Sequence, residues 1–342
     1  MRRSKQIQFD QFVEIVDCND ADAFVQALGC GFALACPAFP TNNRTIYLGY
    51  LYAGGVLLNE SGMENHPLTP MTDANLVRVL SRQTDGTVGL VPFPIVEKGA
   101  AAIRREMTAL KEQGRRYCIV DAITDAHLMA IGEAAEHHAL LTGGSGVALG
   151  LPANFRRAGL LGEAGNAASL PDVKGATAVL SGSCSRATLM QLGRARDHAP
   201  VFEIDPLTTP DPRALADQAL AWAGDKLGDT PVVIAASAPP DKVAAVQARF
   251  GRDAAGALIE HAMAHIAEGL VARGVRRMVV AGGETSGAAV ARLGVKSLRI
   301  GPEIDPGVPW TYAEGSGPPL LLALKSGNFG APDFFTKAFE QP

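Results

Sequence analysis

The sequence predicts an α/β protein made of two domains, each with a largely parallel sheet, and a cleft between them. Short apolar runs alternate with helical patterns along most of the 342 residues, which is typical of parallel strands joined by crossover helices. The chain is also longer than the roughly 250–300 residues that one core usually serves. Residues 157–174 are rich in Gly, Ala and Ser and lack periodicity, so they predict the domain boundary.

Four strands and three helices are predicted before that boundary. The strands are ALACPAF (33–39), TVGLVPF (87–93), YCIVDAI (117–123) and HALLTGG (138–144). The helices cover 71–83, 97–114 and 125–138, with Thr72 and Asp125 as N-caps and Gly114 as a left-handed C-terminal residue. The segment TIYLGYLYAGGVLLN predicts a hairpin around Gly54 and Gly55.

Six more strands follow the boundary, and helices separate most of them. The strands are predicted at 176–183, 201–205, 232–237, 277–283, 297–301 and 320–326. The longest helix is DAAGALIEHAMAHIAEGLVARG (253–274), whose apolar positions recur at helical spacing.

Composition excludes several classes of protein. The formal net charge is -4, and Lys and Arg form no stripe, which argues against a nucleic-acid partner. No run reaches the roughly 18 apolar residues of a membrane span, and the N-terminus has no signal-peptide pattern. The chain has five cysteines, an odd number, and their spacings match no zinc-binding motif. These features favour a reducing cytoplasm.

The most informative segment is MVVAGGETSGAAVARLG, in which a predicted strand runs into a glycine turn and then a helix. The turn consists of Gly282, Gly283, Glu284, Thr285, Ser286 and Gly287. Glycine lets a backbone approach a phosphate, and a helix start supplies N–H groups and partial positive charge. Thr285 and Ser286 could add hydroxyl hydrogen bonds. The alternative is a tight turn that needs glycine only for its own geometry.

Two further turns follow predicted strands of the second half, and open α/β sheets bind ligands at such strand ends. The first, VLSGSCS, contains Ser181 and Ser183, and a serine there could equally cap the next helix. The second, LALKSGNFG, contains Lys325, Ser326 and Gly327. Lys325 could meet a phosphate or lie on the surface. None of these turns is a P-loop, and no G-x-G-x-x-G follows a first strand.

The first half has its own candidate residues. Arg44 follows a strand in CPAFPTNNRT and could pair with a substrate carboxylate. A Pro-rich loop carries His66, Thr69 and Asp73; for His66 an ordinary loop role is an equal alternative, and Asp73 is better explained by first-turn helix charge. Another strand-turn-helix segment contains the turn residues Gly143, Gly144 and Ser145.

Carboxylates that could face a site or contact Mg²⁺ are few. Asp121 ends a strand and could face a site, and Glu303 and Asp305 occupy a Pro/Gly loop after another strand. Magnesium is typically held by one or two carboxylates together with phosphate oxygens. A surface turn is the alternative for the Glu303–Asp305 loop.

Several segments together resemble the four-carbon acid sugar kinase family, and within it the 3-oxo-tetronate kinases. They are CPAFPTNNRTIYLGYLY, LLNESGMENHPLTPMTDANLVR, TGGSGVALGLP, VLSGSCS, VVAGGETSGAAV, IGPEIDPGVPWT and ALKSGNFG, in family order from about residue 30 to the end. The resemblance implies a sugar-acid-binding domain at 29–158 and an ATP-binding domain at 172–342. It also implies that ATP and Mg²⁺ serve to phosphorylate the terminal hydroxyl of a 3-oxo-tetronate, giving the 4-phosphate.

The resemblance also implies which residues meet which ligand. Nucleotide contacts fall on Ser181, Ser183, Gly282, Gly283, Glu284, Thr285, Ser286, Gly287, Ser326 and Gly327. Sugar-acid contacts fall on Arg44, His66, Thr69, Gly143, Gly144 and Ser145. No general base and no metal ligand is assigned, and the oligomeric state is open, a homo-oligomer included.

The opening of the chain departs from the family. Residues 1–28 lack the family's first strand, its Asp-Asp-Phe-Thr-Gly-Ala loop and its Lys-containing Ser-Thr-Phe-Asp-Ser-Thr segment. We therefore expect a truncated or frame-shifted product, or a wrongly chosen start. The alternatives to a working kinase are an ATP-binding remnant without activity and another α/β enzyme of sugar metabolism, such as an isomerase or dehydrogenase.

Overall fold

The computed structural model describes residues 19–65, 70–162, 165–166, 168–315 and 317–340. The chain divides into two compact units. Unit 1 comprises Met1–Leu57 and Asp73–Gly162, and unit 2 comprises Leu58–Thr72 and Glu163–Pro342. The chain therefore leaves unit 1 at Leu57, contributes a 58–72 segment to unit 2, and returns at Asp73. The sequence analysis, which predicts two continuous domains, has no signal for this excursion.

Unit 1 contains seven strands and six α-helices among the described residues. The strands are β1 (Ala33–Cys36), β2 (Arg44–Tyr47), β3 (Tyr50–Ala53), β4 (Val56–Leu57), β5 (Val88–Val91), β6 (Tyr117–Val120) and β7 (Leu141–Gly143). The helices are α1 (Asn19–Leu28), α2 (Leu76–Gln83), α3 (Phe93–Val96), α4 (Ala100–Glu112), α5 (Asp125–Ala134) and α6 (Leu151–Arg157).

The main sheet of unit 1 is fully parallel, in the order β5-β6-β1-β7. Its central strands β1 and β6 consist of small and aliphatic residues, with Tyr117, and are buried along their whole length, as expected for strands covered on both faces. The carboxyl ends of all four strands meet at one edge. That edge is where a ligand of a parallel sheet usually binds.

The predicted hairpin around Gly54 and Gly55 is confirmed as the antiparallel β3-β4 pair, and β2 extends it through a further turn at Leu48–Gly49 into a three-stranded sheet. Two N-cap predictions in unit 1 are wrong. Helix α2 begins at Leu76, and Asn75 rather than Thr72 is its N-cap. The N-cap of α5 is Thr124, which forms a capping box with His127, and not Asp125. The left-handed conformation of Gly114 is confirmed by its φ of 78°.

Helix α1 lies within the segment that the sequence analysis treats as atypical. Its Asp22 carboxylate accepts hydrogen bonds from the hydroxyls of Tyr117 (2.5 Å) and Thr84 (2.8 Å). These bonds outweigh the effect of burial and hold the pKa of Asp22 below its usual value. Residues 19–28 are thus an integrated part of unit 1.

Unit 2 contains seven strands and six α-helices among the described residues. The strands are β8 (Ala176–Ser181), β9 (Val201–Glu203), β10 (Val232–Ala235), β11 (Val275–Ala281), β12 (Ser297–Asp305), β13 (Val308–Glu314) and β14 (Leu321–Lys325). The helices are α7 (Arg186–Ala195), α8 (Pro212–Ala223), α9 (Pro240–Phe250), α10 (Arg252–Ala272), α11 (Gly283–Arg292) and α12 (Phe334–Lys337).

The strands of unit 2 form one sheet in the order β12-β13-β14-β11-β8-β10-β9. Strands β14, β11, β8, β10 and β9 are parallel, and the β12-β13 hairpin adds antiparallel strands at one side. Apolar side chains of α8 and α10 pack on one face of the central strands, for example Leu215 and Ile266 against Ile234 and Val280. The predicted α/β class with largely parallel sheets is confirmed.

The hairpin at 297–314 contradicts the sequence analysis, which predicts a Pro/Gly loop after a short strand. Strand β12 continues to Asp305, and the segment after it forms β13. Asp305 accepts a hydrogen bond from the amide of Ala331 (2.8 Å) and pairs with Lys337. Glu303 accepts from the amide of Gly307 (3.0 Å), within the hairpin turn. Both carboxylates are therefore used inside the fold rather than as magnesium ligands.

Candidate functional site

Three turns meet at the carboxyl end of the parallel strands of unit 2. They are turn A (residues 181–185, after β8), turn B (residues 282–287, after β11) and turn C (residues 325–330, after β14). The amides of Gly182 and Ser183 both donate to the carbonyl of Ala281 (2.8 and 3.0 Å), and the amide of Gly282 donates to the carbonyl of Lys325 (2.8 Å). Turn A is therefore hydrogen-bonded to the end of β11, and turn B to the end of β14, so the three turns lie side by side.

Glycines let these turns touch. A Cβ on Gly182 would lie 1.9 Å from Thr285 Oγ1, and a Cβ on Gly327 would lie 2.2 Å from Ser183 Oγ. Gly282 has a φ of 125°, and a Cβ there would lie 3.1 Å from the Ser183 nitrogen. The geometric explanation that the sequence leaves as an alternative for turn B therefore holds for Gly282, and Gly182 and Gly327 are likewise required by close packing.

Gly283 differs from those three glycines. It is the first residue of α11, and a Cβ on it would meet nothing within 4 Å. The first N–H groups of a helix have no intrahelical partner and carry partial positive charge. The start of α11 thus has open space beside donors that suit an anion.

Several hydroxyls predicted to contact a nucleotide point into the protein instead. Ser181 is buried and its Oγ lies 2.7 Å from Ser237 Oγ, so it joins turn A to the end of β10. Thr285 is buried with Oγ1 against Gly182. Ser286 is buried, and its amide donates to the Gly282 carbonyl (2.9 Å) as part of α11. The Ser286 hydroxyl faces the carbonyl of Val280 (3.4 Å), so strand ends and helix packing direct all three hydroxyls inward.

The later serines of turn A, Ser183 and Ser185, are partly exposed. Ser185 is the N-cap of α7 and accepts from the amide of Thr188 (3.2 Å), which confirms the capping interpretation. Its hydroxyl also donates to the carbonyl of Gly327 (2.6 Å). Ser183 Oγ accepts from the Ser185 amide (3.2 Å). Turn A is therefore fixed both to α7 and to turn C.

Turn C is built around the buried side chain of Lys325. The Nζ atom donates to the carbonyls of Ser326, Gly327 and Phe329, each at 3.0 Å, and approaches Thr188 Oγ1 at 3.2 Å. Burial lowers the pKa of Lys325 to about 7. The surface alternative for Lys325 is wrong, because the lysine is buried and faces the backbone of its own turn.

Two other buried polar groups support turn C from behind. Gln191 of α7 donates through Nε2 to the carbonyls of Phe329, Gly330 and Ala331 at 2.9–3.0 Å. On the other side, Asp305 accepts from the Ala331 amide. Side chains from three elements therefore hold residues 326–331 through backbone hydrogen bonds, an arrangement that sequence motifs alone cannot reveal.

Turn B carries an exposed carboxylate. Glu284 lies in the first turn of α11 and is exposed, and burial together with the charge of Glu284 raises the pKa of Glu260 on α10. Among the residues that the structure describes, no group of three or more His, Cys, Asp or Glu side chains is arranged to hold a metal ion. This donor set fits Mg²⁺ only in the form that keeps its waters and binds mainly to phosphate oxygens.

The 58–72 excursion packs near turns A and C. Its described part contains two short 3-10 helices, Leu58–Glu60 and Met63–Asn65. A Cβ on Gly62 would lie 3.4 Å from the side chain of Arg186, and Asn328 Nδ2 lies 3.3 Å from Met63 Sδ. A segment from the first half of the sequence thus borders the turns of the second half.

In unit 1 the glycine turn after β7 packs against the segment after β1. Gly143 has a φ of 146°, and a Cβ on it would lie 2.2 Å from the Cys36 carbonyl oxygen. A Cβ on Gly144 would lie 3.1 Å from the Pro37 carbonyl oxygen. These contacts bring the exposed Ser145 and the CPAFPTNNR segment to the same edge of the sheet.

The remaining sequence candidates of unit 1 are Arg44, His66, Thr69 and Asp73. Arg44 begins β2, and its amide donates to the carbonyl of Phe39 (3.1 Å). His66 and Thr69 lie outside the described residues. Asp73 pairs with Arg78 (2.7 Å) and Arg82 (3.3 Å) and accepts from the amide of Asn75. The Arg78 guanidinium lowers the pKa of Asp73 to about 2. Asp73 therefore pairs with side chains of α2 just before the helix starts, whereas the sequence favours a charge within its first turn.

Asp121 is wholly buried and holds together the carboxyl edge of the unit 1 sheet. Its carboxylate accepts from the amides of Leu48 (2.6 Å), Gly49 (2.9 Å) and Phe93 (2.8 Å). Burial raises its pKa, and the three amides oppose that effect. All three partners belong to the fold, so Asp121 is an organiser of this edge rather than a group directed at a ligand.

Comparison with known families matches both halves of the chain. A sugar-binding N-terminal domain model matches residues 19–151, and a nucleotide-binding C-terminal domain model matches residues 178–335. The second range contains all of turns A and B and all of turn C. The first begins within the segment 1–28, at the residue where α1 starts.

Individual relatives agree with the family models. The 3-oxo-tetronate kinase of Burkholderia multivorans is 57% identical over 318 residues, which cover 93% of this chain and 74% of that protein. The 3-oxo-tetronate kinase of Cupriavidus necator is 54% identical over 322 residues, covering 94% and 74%. A crystal structure of a Salmonella typhimurium LT2 protein, provisionally named a tRNA synthase, has a TM-score of 0.72 at 38% identity, covering 93% of this chain and 75% of that one. Among the described residues, no helix is long and apolar enough to cross a membrane.

Proposed function

The chain belongs to the four-carbon acid sugar kinase family, and from that premise we propose that it transfers the γ-phosphoryl group of ATP to the terminal hydroxyl of a 3-oxo-tetronate. The product would be the 4-phosphate. Relatives named for this activity are 57% and 54% identical to this chain over more than nine-tenths of its length. Their identity supports the substrate class as well as the reaction.

The observation that carries the proposal is the convergence of turns A, B and C in the unit that the nucleotide-binding model matches. Phosphoryl transfer depends mostly on positioning and charge stabilisation rather than on covalent chemistry by the protein. Backbone N–H groups held in place before the ligand arrives are suited to that task. The interlocked glycines fix the three turns relative to one another, and so supply that preorganisation.

In the proposed complex, the phosphates of ATP bind at the start of α11. The open space at Gly283 would admit a phosphate, and the first amides of the helix would donate to it. Gly327 and the partly exposed Ser183 and Ser326 would border the same anion from turns A and C. Ser181, Thr285 and Ser286 would act from behind, by holding these turns together.

The sugar acid is proposed to bind at the carboxyl edge of the unit 1 sheet. Ser145 and the amides of the Gly143–Gly144 turn are donors there, and Arg44 starts the strand that follows the 36–43 segment. An arginine can bind a carboxylate with two parallel hydrogen bonds. His66 and Thr69 belong to this proposal from sequence resemblance alone.

Magnesium is proposed as the cofactor on chemical grounds. Mg²⁺ neutralises phosphate charge and usually binds through phosphate oxygens, waters and one or two carboxylates. Glu284, exposed in the first turn of α11, is the carboxylate that we assign to it. The relatives are kinases by name, which supports the use of ATP but gives no direct information about the metal.

A turnover assay on the purified chain tests the proposal. We expect ADP release that requires both MgATP and a 3-oxo-tetronate, and a product that carries phosphate on the terminal carbon. Binding of ATP without turnover would contradict the kinase proposal and leave a nucleotide-binding protein. Thermal stabilisation by NAD and not by ATP would contradict nucleotide binding of this type.

Substitution of Gly283 tests the assigned phosphate position. A methyl group there meets no protein atom, so Gly283→Ala should fold like the parent while filling space meant for phosphate. We expect the KM for ATP to rise about tenfold, equivalent to about 1.4 kcal/mol. Gly193→Ala is the matched control, because that glycine also lies at the surface of a helix with nothing within 4 Å of a Cβ. An unchanged KM for ATP in Gly283→Ala would mean that the phosphates bind elsewhere.

A further inference from the structure

Lys325 presents an unusual charge environment. The side chain is fully buried, yet all four oxygens that the structure places around Nζ are neutral: three carbonyls and the Thr188 hydroxyl. Lysine is almost never fully buried unless it is paired, and a buried charge without a counter-charge is unfavourable. A neutral side chain such as Gln191 already holds the neighbouring part of the same turn. Holding a loop therefore does not by itself explain a cation.

The orientation of the peptide groups in turn C follows from this contact. In a trans peptide the C=O of one residue and the N–H of the next point in opposite directions, and the described residues contain no cis peptide. The carbonyls of Ser326 and Gly327 point inward at Nζ. The amides of Gly327 and Asn328 therefore point away from the lysine, towards the outer side of the turn. Consecutive N–H groups that point the same way form an anion-binding concavity.

We propose that Lys325 is the fixed cation of the nucleotide site, a positioning residue that holds turn C from behind so that its amides face the phosphates, and that takes up a proton when the phosphates bind. The inference rests on the proposed function, because it requires an anion at these turns. The phosphates would supply the counter-charge that the buried ammonium lacks. The lysine need not touch the substrate; it acts through the turn and through its charge.

Other charged groups around the turn are accounted for. The groups that face this region are Thr188 and Gln191 from α7, Cys184 from turn A, Glu284 from α11, and the Asp305–Lys337 pair from β12 and α12. The first two do not titrate, and Asp305 and Lys337 neutralise each other. Burial alone accounts for the lowered pKa of Lys325. At pH 8 most of the free protein would therefore have the neutral amine at Lys325, with only two N–H groups for these oxygens. An arriving anion would raise the pKa of Lys325, so that the amine takes up a proton from solvent.

Calorimetry of ATP binding at pH 8, in two buffers of different ionisation enthalpy, measures the proton uptake directly. Phosphate monoesters have a second pKa of about 6, so the nucleotide contributes little at this pH. We expect the parent chain to take up between about half a proton and one proton per nucleotide. Lys325→Met should take up none and should raise the Kd about 30-fold or more, as loss of a charged partner does. Lys296→Met, which removes an exposed lysine of unit 2, should behave like the parent.

The outcomes separate this inference from the proposed function. Parent protein that binds and turns over ATP without proton uptake would overturn the role of Lys325 and leave the kinase proposal standing. Equal uptake by the parent and Lys325→Met would also overturn it. Parent protein that binds no nucleotide would overturn both proposals. Should Lys325→Met fail to fold, the parent alone decides: its Kd for ATP should rise about tenfold per pH unit above pH 7.5, and a flat profile contradicts the inference.

Discussion

Two wholly buried charges of opposite sign occupy equivalent places in the two units. Asp121 directly follows β6 in unit 1, and Lys325 ends β14 in unit 2, each at the carboxyl end of a parallel strand. Asp121 collects three backbone amides, whereas Lys325 collects three backbone carbonyls. The sign of the buried charge thus decides which backbone groups each turn consumes and which it leaves for a ligand.

This difference matches what each edge is proposed to bind. A buried carboxylate uses up N–H groups, so the nearby unit 1 turns lose donors, and recognition of a sugar acid must come from side chains and from the separate Gly143–Gly144 turn. A buried ammonium uses up carbonyls and leaves N–H groups facing outward, which suits phosphates. Both edges lie at the carboxyl ends of parallel strands, and the buried charged residues at the two edges have opposite sign.

Removal of Asp121 is the most severe test of this comparison. Asp121→Ala would leave three backbone amides without their acceptor, and each unpaired buried group costs about 1–3 kcal/mol. We expect the free energy of unfolding of the chain to fall by roughly 3–5 kcal/mol, measured by urea denaturation. Asp121→Asn, whose carbonyl oxygen can accept two of the three bonds, should lose less.

Glu112→Ala provides the control for that measurement, since Glu112 is an exposed residue at the end of α4. Its stability should stay within about 0.5 kcal/mol of the parent. A result within about 1 kcal/mol for Asp121→Ala would mean that the three amides find water or other partners, and that the carboxylate does not organise this edge.

The pH dependence of stability should have opposite signs for the two buried charges. Lys325 has a pKa of about 7 in the fold, against 10.5 ordinarily, so the unfolded chain binds more protons between those values and stability rises with pH across that window. The rise should amount to about 5 kcal/mol, since the window spans about 3.5 pH units and each unit corresponds to about 1.4 kcal/mol. The pKa of Asp121 is raised in the fold, so its contribution is present below its ordinary value of 3.8 and is lost as pH increases above it.

Urea denaturation across pH, with each variant subtracted from the parent, checks both signs. The difference between the parent and Lys325→Met should increase from about pH 7 to pH 10, in the parent's favour. The difference between the parent and Asp121→Asn should change in the opposite direction above about pH 4. Two curves of the same sign, or a flat curve for Lys325, would break the comparison between the units.

The sequence predicts most of the sheet and misses elements that depend on position within it. Parallel strands such as β8 and β10 are apolar runs bounded by turns, and the sequence predicts their starts correctly and their ends two residues too late. Strand β12 contains Pro302 and precedes Pro306 and Gly307, and so resembles a loop. It forms a strand because it lies at the edge of the sheet, where a proline removes no ladder hydrogen bond. Edge position is a property of the fold and leaves no local signal.

The site shows the same limit at the level of side chains. Glycine turns after strands identify the edge that carries the site, since that follows from topology. Which hydroxyl faces outward depends on packing: Ser181 turns towards β10 and Ser286 towards the core. Lys325 resembles a surface or phosphate-binding lysine in sequence, and only the fold shows that it faces inward. The excursion at 58–72 likewise depends on contacts made more than 100 residues later in the chain.

A smaller effect is expected where two turns of unit 2 touch, and it tests whether their glycines serve the packing of the turns. In Gly182→Ala the new Cβ would meet Thr285 Oγ1 at 1.9 Å, and such overpacking typically costs about 1–3 kcal/mol. Combining it with Thr285→Ala removes that oxygen, so the nearest remaining atom is the Thr285 Cβ at 3.0 Å. The double variant should therefore recover part of the lost stability, with a coupling of at least about 0.5 kcal/mol in a double-mutant cycle. Additive losses would mean that Gly182 is needed for its own backbone conformation, and that its contact with Thr285 does not couple turn A to turn B.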